Sequence, residues 1–214
     1  MNVPAFHIFS ADQIKNIYKK HIGEIISTLG MPLVVKPLNQ GSSIGVSIVR
    51  DAQDIFHAMK LAQKYSSNIM IQKFIHGREI TCGILERREG KKLSIIPLPP
   101  VEIVPRLGTF YDYTSKYANA GSDHVIPPLN ISAIMVKTIQ SIAQRAHEVI
   151  GCLGMSRSDF ILDDDGNCYI LEINTIPGMT PTSLLPQSAQ AAGIEFPQLL
   201  DYIIDCARIK KNRT

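Results

Sequence analysis

The sequence lacks tryptophan, has few cysteines and contains no long hydrophobic run. Its four cysteines lie far apart and form no Cys-x-x-Cys pair, which argues against a zinc site or a disulfide framework. We expect them to be buried thiols in a reducing compartment. No apolar run approaches the roughly 20 residues that cross a membrane. The first residues have neither the charged nor the apolar region of a signal peptide, so a cytoplasmic protein is expected.

An excess of charge of one sign is also absent. The 214 residues carry a formal net charge of +3, and only the tail Lys210-Lys211-Asn212-Arg213 is a basic run. Aromatic residues do not interleave with lysine and arginine, so we predict no nucleic-acid surface. With 45% hydrophobic and 19% charged residues, the composition is typical of a soluble globular protein with one large domain or two small ones.

Periodicity predicts two regions with a boundary near residue 76. In the first, 1–76, a capping box at Ser10-Ala11-Asp12-Gln13 precedes an amphipathic helix from Ile14 to Leu29. Its other predicted elements are strands at 33–35, 45–49 and 69–71 and a helix capped by Asp51. The second region, 77–214, contains a strand hairpin (80–85 and 93–96), a strand at 101–103, a long loop at 106–128, and helices at 133–150, 183–192 and 196–209.

An acidic hairpin is the most informative part of the second region. Asp159 begins one apolar run, a turn of about five residues follows, and Glu172 and Asn174 end the next run. Alternation along a strand places Glu172 and Asn174 on one face, and the hairpin brings Asp159 beside Glu172. Oxygen ligands that converge in this way hold Mg²⁺ beside nucleotide phosphates. The alternative is an exposed strand end that happens to be acidic.

A lysine and a small-residue loop follow the first predicted strand. Lys36 ends that strand, and Gln40-Gly41-Ser42-Ser43-Ile44-Gly45 supplies glycines, hydroxyls and backbone N–H groups that suit phosphate oxygens. It is not a Walker A loop, because no Gly-Lys-Ser/Thr ends it. The alternatives are a lysine stem lying along apolar surface and a plain hairpin connection.

Three further segments are candidate ligand contacts. Gln72-Lys73-Phe74-Ile75 with Glu79 lies at the boundary between regions, where a planar base and a ribose would bind; otherwise it is a linker. The tyrosine-rich stretch 110–117 is either a lid over a ligand or a surface loop that packs on its own domain. Arg157, two residues before Asp159, suits an oxyanion or is simply the ion-pair partner of its acidic neighbour.

Together these residues resemble the D-alanine–D-alanine ligase family of ATP-grasp enzymes, from about Leu29 to the last helix. The order and spacing of the motifs make the resemblance specific, although each motif alone is weak. The matching motifs are Val35-Lys36-Pro37, Gly41-Ser42-Ser43-Ile44-Gly45, Gly77-Arg78-Glu79, Phe110-Tyr111-Asp112-Tyr113 with Lys116-Tyr117, and Glu172-Ile173-Asn174-Thr175-Ile176-Pro177-Gly178-Met179-Thr180.

The resemblance implies an α+β fold of the ATP-grasp type. Two α/β subdomains would clasp ATP, with mixed or antiparallel sheets and flanking helices. Residues 1–76 would form the smaller central subdomain, truncated at its N-terminus, and 77–214 the C-terminal subdomain with the metal and D-alanine sites. One departure is Gln72, which stands where many members of the family carry Glu.

The resemblance also implies a role for each motif. ATP would contact Lys36, Ser42, Ser43, Gln72, Lys73, Phe74, Ile75, Glu79 and Lys116. Two Mg²⁺ ions, with Mn²⁺ as an alternative, would be bound by Asp159, Glu172 and Asn174. Catalysis would involve Arg157, Ser43 and Gly178, and D-alanine would contact Tyr117, Arg157, Gly178, Ser183 and Leu184.

The implied activity is ATP-dependent ligation of two D-alanines through an acylphosphate, for peptidoglycan synthesis. Two alternatives stay open: a truncated Mg·ATP-binding module that does not ligate by itself, and a ligase whose second substrate is D-lactate or D-serine. The family's N-terminal domain and an early ATP-binding lysine would precede the matched region. We therefore expect a piece of a longer protein or a chain that works with a separate N-terminal domain, and the resemblance also suggests a homodimer.

Overall fold

The computed structural model describes residues 1–16, 19–90, 92–106 and 122–210, and leaves the side chains of residues 19, 20, 209 and 210 undescribed. The chain divides into two compact units. The first unit contains Val3–His76 and the described residues of Pro105–Ser122. The second contains Met1–Asn2, Gly77–Val104 and the described residues of Asp123–Thr214.

The first unit is a four-stranded sheet with helices on one face. Its elements are strand β1 (Phe6–Phe9), helices α1 (Ala11–Lys15) and α2 (Lys19–Leu29), strands β2 (Leu33–Pro37) and β3 (Ser47–Val49), a short 3₁₀ helix (Ala52–Asp54), helix α3 (Ile55–Gln63) and strand β4 (Ile69–Lys73). The strand order is β1-β4-β2-β3, and each neighbouring pair is antiparallel.

Alternation along β2 and β4 separates the two faces of this sheet. Leu33, Val35 and Ile71 are fully buried and pack with apolar residues of α2 and α3. The registers pair Val34 with Gln72 and Lys36 with Met70, so these four side chains lie on the opposite face. The core therefore forms on one side of the sheet, and Lys36 and Gln72 share the other.

The second unit is built on a larger sheet. Its elements are strands β5 (Arg78–Glu89), β6 (Lys92–Pro97), β7 (Val101–Pro105) and β8 (Ser122–Val125), helix α4 (Ala133–Ile150), strands β9 (Met155–Leu162) and β10 (Cys168–Asn174), and helices α5 (Leu184–Ala191) and α6 (Phe196–Lys210). The strand order is β10-β9-β5-β7-β8, with β6 paired to β5.

Both faces of the larger sheet carry an apolar core. On one face, Ile80, Cys82 and Ile84 of β5 join Phe160 of β9 and residues of α4, including Ile139. On the other face, the far end of β5 packs with α5 and α6 around Leu85. Helix α4 begins with the Ser132 hydroxyl accepting from the Met135 N–H and ends at Gly151, whose φ of 73° suits glycine.

Several of the predicted helices and strands are present in the structure. The hairpins, the strand at 101–103 and the helix at 133–150 are confirmed. One continuous helix from Ile14 to Leu29 is wrong, because α1 ends at Lys15 and the Asn16 side-chain amide donates to the Asp12 carbonyl at 3.0 Å. The predicted strand at 45–49 begins only at Ser47, since Gly45 has a φ of 73°.

Three further elements differ from the prediction. Strand β1 was not predicted, and strand β8 lies within the segment predicted to be a long loop. Asp51 caps the short 3₁₀ helix, accepting from the Gln53 N–H, instead of capping α3 directly.

All four cysteines are free thiols, and three of them are buried as expected, whereas Cys152 is half-buried.

A buried histidine joins α4 to the sheet of the second unit. His147 is 1% exposed, and its Nδ1 lies 2.8 Å from the Ser156 hydroxyl. Its Nε2 lies 3.6 Å from the Glu86 carboxylate, which accepts the Gly154 N–H at 2.7 Å. Burial lowers the pKa of His147 below its usual 6.5, and the charges of Glu86 and Glu148 act in the opposite direction with smaller effect.

We predict that His147 makes stability depend on pH. In the unfolded chain His147 titrates near pH 6.5, whereas the folded protein keeps it neutral to lower pH. Below about pH 6.5 the unfolded state binds the extra proton, so the free energy of unfolding falls as pH drops from about 7 to 5. His147→Gln should flatten this slope, measured by urea denaturation. The exposed His57→Gln is the matched control, and an unchanged slope in His147→Gln would contradict the assignment.

Candidate functional site

The acidic hairpin forms as predicted, with one irregularity that decides its geometry. Glu172 pairs with Asp159 and Asn174 with Arg157, but a register shift lies between Ile170 and Glu172. Simple alternation from Ile170, which faces the α4 core, would point Glu172 into the same core. The extra residue reverses the facing, so Ile173 packs on the α4 side and Glu172 lies beside Asp159 on the other.

Asp159 is the most heavily bonded member of this group. Arg157 binds it with a two-pronged ion pair, Nε to Oδ1 and Nη2 to Oδ2, both at 2.9 Å. The Thr81 hydroxyl, from the adjacent strand β5, donates to Oδ1 at 2.6 Å. Asp159 is 8% exposed, so these three donors replace the water that its carboxylate would bind in solution.

Glu172 and Asn174 present oxygen atoms beside Asp159. Glu172 is exposed, and the Oδ1 atom of Asn174 accepts the Ile176 N–H at 3.0 Å, which fixes the orientation of the amide. Within the described ranges no three His, Cys, Asp or Glu side chains lie together as a metal-binding group. Two carboxylates with one amide oxygen are nevertheless a donor set that suits a hard divalent cation such as Mg²⁺.

The hairpin turn has local chemistry that explains its formation. Asp163 accepts the Asn167 N–H at 2.7 Å and the Asn167 amide at 3.0 Å, and Gly166 has a φ of 81°. The hydrogen bond from Asn167 is the main cause that lowers the pKa of Asp163. The turn therefore sets the pairing of β9 with β10 as far as the register shift, independently of the site.

Glu79 lies on the same face of β5 as Thr81, and it is half-buried. Its neighbour Arg78 donates to both oxygens of Glu102 at 2.7 and 2.6 Å and to the Leu129 carbonyl at 2.6 Å. The bond to Glu102 raises the pKa of Arg78. At Gly77, a Cβ would lie 2.3 Å from the Leu162 carbonyl oxygen, so the chain enters β5 where only glycine fits without movement of the backbone.

In the first unit, the Gly/Ser loop is built from two turns. The Ile44 N–H donates to the Gly41 carbonyl at 3.2 Å, and the Val46 N–H donates to the Ser43 carbonyl at 3.3 Å. Ser42 and Ser43 have φ angles of 54° and 58°, a left-handed conformation that residues with a side chain seldom adopt. Such backbone strain is concentrated at functional sites in proteins.

The segment predicted to read a base is partly engaged within the first unit. The Lys73 N–H donates to the Ala5 carbonyl at 2.8 Å, and the Phe74 N–H donates to the Pro32 carbonyl at 3.2 Å. Gln72 is 4% exposed, whereas Phe74 and Ile75 are half-buried. These N–H groups hold the segment against its own unit.

The predicted D-alanine contacts lie around the start of α5. Ser183 is the N-terminal cap residue of that helix, but its hydroxyl accepts the Thr180 N–H at 3.0 Å instead of a helix N–H. Gly178 is exposed and lies near Ser183. Leu184 is 8% exposed and presents little surface to a ligand.

The structure brings together some of the predicted residues. Arg157, Asp159, Glu172 and Asn174 form one cluster in the second unit, and Lys36 and Gln72 share one face of the first unit's sheet. Lys116 and Tyr117 lie outside the described residues. Thr81 was missed; the only sequence signal for it is its position two residues after Glu79 on a strand.

Comparison with known proteins identifies the family. The family model described as D-ala D-ala ligase C-terminus matches residues 1–205. The D-alanine–D-alanine ligase of Gloeobacter violaceus is 45% identical over 180 residues, covering 84% of this chain and 57% of that protein.

Two solved structures are similar along nearly the whole chain. The VanG D-Ala:D-Ser ligase of Enterococcus faecalis has a TM-score of 0.79 at 31% identity, covering 96% of this chain and 57% of its own. The Bacillus anthracis D-alanine–D-alanine ligase complexed with ATP has a TM-score of 0.76 at 27% identity, covering 100% of this chain and 62% of its own.

The chain spans a little over half the length of these relatives. Among the described residues, no helix combines the length and apolarity needed to cross a bilayer. The match over residues 1–205, the antiparallel sheets with flanking helices and the similarity to solved ligases agree with the resemblance seen in the sequence. The chain belongs to the D-alanine–D-alanine ligase family and has the ATP-grasp fold of that family.

Proposed function

We propose that this chain forms the ATP-grasp part of a ligase that joins two D-alanines to D-alanyl-D-alanine for peptidoglycan synthesis. The observation that carries the proposal is the cluster in the second unit, where Arg157, Asp159, Glu172 and Asn174 meet in register on one face. A cation beside carboxylates, with a guanidinium next to it, suits phosphoryl transfer followed by attack on an acylphosphate.

The nucleotide contacts are assigned to both units. In the first unit, Lys36 would neutralise phosphate charge and the loop carrying Ser42 and Ser43 would cover the phosphates. The segment Gln72–Ile75 would meet adenine, with its backbone groups reading the edge of the base. Glu79 in the second unit would accept from ribose hydroxyls, and Lys116 is assigned to the terminal phosphate.

The metal ligands proposed are Asp159, Glu172 and Asn174, which would hold two Mg²⁺ ions or Mn²⁺. When bound, the metal would supply positive charge that stabilises the transferring phosphoryl group. The chain's own part is to fix these oxygens: the Asn174 amide by the Ile176 N–H, and Asp159 by Arg157 and Thr81.

The proposed chemistry has two steps. A carboxylate oxygen of the first D-alanine attacks the γ-phosphorus of ATP, the bond to the β-phosphate oxygen breaks, and ADP leaves. The amine of the second D-alanine then attacks the carbonyl carbon of the acylphosphate, loses a proton, and phosphate leaves. Arg157 and the Gly178 N–H would stabilise the oxyanion between these events. Ser43 and Tyr117 would help to exclude water.

A second candidate function differs in the acceptor. One structural neighbour is a D-Ala:D-Ser ligase that is 31% identical to this chain, so D-serine is a second substrate to be tested, with D-lactate beside it.

In both functions the ATP-grasp part consists of residues 1–76 as central subdomain and 77–214 as C-terminal subdomain. The free thiols support a cytoplasmic location. The first D-alanine site would be completed by a separate N-terminal domain chain, and a homodimer is a further candidate assembly.

We predict that Glu172→Gln weakens Mg·ATP binding by more than about tenfold, because it removes a charged metal ligand and keeps the side-chain size. Calorimetric titration of Mg·ATP into the chain measures this, and phosphate release with D-alanine, D-serine or D-lactate is assayed in the same sample. Glu195→Gln, which neutralises an exposed carboxylate elsewhere in the second unit, is the control and should bind normally.

The outcomes separate the candidate functions. Release that depends on D-alanine alone supports D-Ala–D-Ala ligation, and release that requires D-serine or D-lactate supports the changed acceptor. Binding without release identifies a nucleotide-binding module that does not ligate by itself. Normal Mg·ATP binding by Glu172→Gln would remove the metal assignment.

In the proposed acceptor site, Gly178 lies close to the side chain of Ser183. A Cβ added at Gly178 would lie 2.8 Å from the Ser183 Oγ and 3.5 Å from its Cβ. The same hydroxyl pairs with the Thr180 hydroxyl at 2.8 Å and accepts the Thr180 N–H. Gly178 therefore leaves room for a hydroxyl that organises the start of α5.

We predict that Gly178→Ala displaces the Ser183 hydroxyl and lowers the free energy of unfolding by about 1 kcal/mol. Ser183→Ala removes the atom that collides, so the double variant should lose less than the sum of the two single losses, by about 0.5–1 kcal/mol. Urea denaturation of the four proteins tests the coupling. Gly41→Ala, where nothing lies within 4 Å, is the control, and additive losses would contradict the proposed contact.

A further inference from the structure

Thr81 is assigned no contact with ATP or D-alanine in the proposed reaction, and its part in fixing Asp159 has a consequence for metal binding. It pairs with Asp159 across β5 and β9 and is 1% exposed. Its hydroxyl lies 2.6 Å from the Asp159 Oδ1 and 3.1 Å from the Ser158 carbonyl oxygen. A hydroxyl has one proton, and a charged acceptor at the shorter distance takes it in preference to a neutral carbonyl.

The donors around Asp159 are distributed unevenly. Oδ1 accepts from Thr81 and from the Nε of Arg157, whereas Oδ2 accepts from the Nη2 of Arg157. Since each carboxylate oxygen has about two acceptor sites, Oδ1 is saturated by these two bonds. Oδ2 is therefore the oxygen better placed to take a cation.

The two supports of Asp159 also differ in stiffness. Arg157 is a long side chain on the same strand, and the proposed function assigns it to an oxyanion as well as to this ion pair. Thr81 is β-branched, buried and held by a neighbouring strand, so its hydroxyl has little freedom to move. The proposed function would turn Arg157 toward the oxyanion, and the Thr81 bond would then remain on Oδ1.

We propose that Thr81 is a positioning residue for metal binding. Its hydroxyl holds Oδ1 of Asp159 so that Oδ2 is directed to the cation, both while Arg157 is paired with the carboxylate and after it leaves. This inference rests on the proposed function, because that function makes Asp159 a metal ligand. Groups that orient a ligand in this way typically change metal affinity by about 10–100-fold when they are removed.

The test is Mn²⁺ binding to the 214-residue chain, monitored by the electron paramagnetic resonance signal of free Mn²⁺. The protein is in excess over β,γ-imido-ATP, so that little analogue is left in solution to bind the metal. Thr81→Val keeps the shape and removes the hydroxyl, and should weaken Mn²⁺ binding by about tenfold. Thr81→Ser keeps the hydroxyl and should bind within about twofold of the unchanged protein. Binding of the analogue without metal should stay the same, which a general loss of structure would not allow.

Ser158→Ala is the matched control. Ser158 is fully buried on the opposite face of the same strand pair, and its hydroxyl has no hydrogen-bond partner among the described residues. Its removal should leave Mn²⁺ affinity unchanged. If Thr81→Val does not fold, as judged by circular dichroism, Thr81→Ala tests the same hydroxyl.

Asp159→Asn separates the role of Thr81 from the existence of the metal site. Weak Mn²⁺ binding by Asp159→Asn together with unchanged binding by Thr81→Val would overturn the role of Thr81 and leave the metal site standing. Unchanged binding by Asp159→Asn would overturn the metal site itself, and the role of Thr81 with it. Equal weakening by Thr81→Val and Thr81→Ser would also overturn the proposal, since the serine hydroxyl restores the bond.

Discussion

The register shift in β10 is the constraint on which the candidate site depends. Between Ile170 and Glu172 one extra residue reverses the facing of the strand. Without it, Glu172 would point at the α4 core and Ile173 at the polar face. A carboxylate in that core would need a partner that the apolar residues around it do not offer, so the bulge is what makes a buried core and an acidic cluster compatible on one strand.

The face of the sheet opposite α4 is shared by an apolar core and the acidic cluster. Toward Leu85 it is covered by α5 and α6, and toward Thr81 it carries Asp159 and its partners. Gly83 lies at the border, opposite Arg157, and the Leu185 side chain packs where a Cβ would be. The Arg157 and Asp159 side chains are only 17% and 11% exposed, and exclusion of water of this kind strengthens an ion pair.

Sequence patterns predicted the parts of the fold that local chemistry determines. The Asp163–Asn167 turn and the cap at Ser132 are readable because their side chains bond to backbone a few residues away. The bulge at β10 leaves no period to recognise, and Thr81 gains its meaning only from the register of β5 with β9. Strand β1 was missed because its pairing partner, β4, lies some 60 residues further along the chain.

The two units present polar groups by different physical means. In the first, Ser42 and Ser43 adopt a left-handed backbone conformation at a cost of about 1 kcal/mol or more for each residue. In the second, side chains from β5, β9 and β10 converge, and Arg157 neutralises the charge of Asp159 in an ion pair. A backbone cradle can follow a ligand that moves, whereas a carboxylate cluster must keep its oxygens fixed to hold a cation. Under the proposed function, this difference accounts for the rigid strands, bulge and buried hydroxyl of the second unit and the loop of the first.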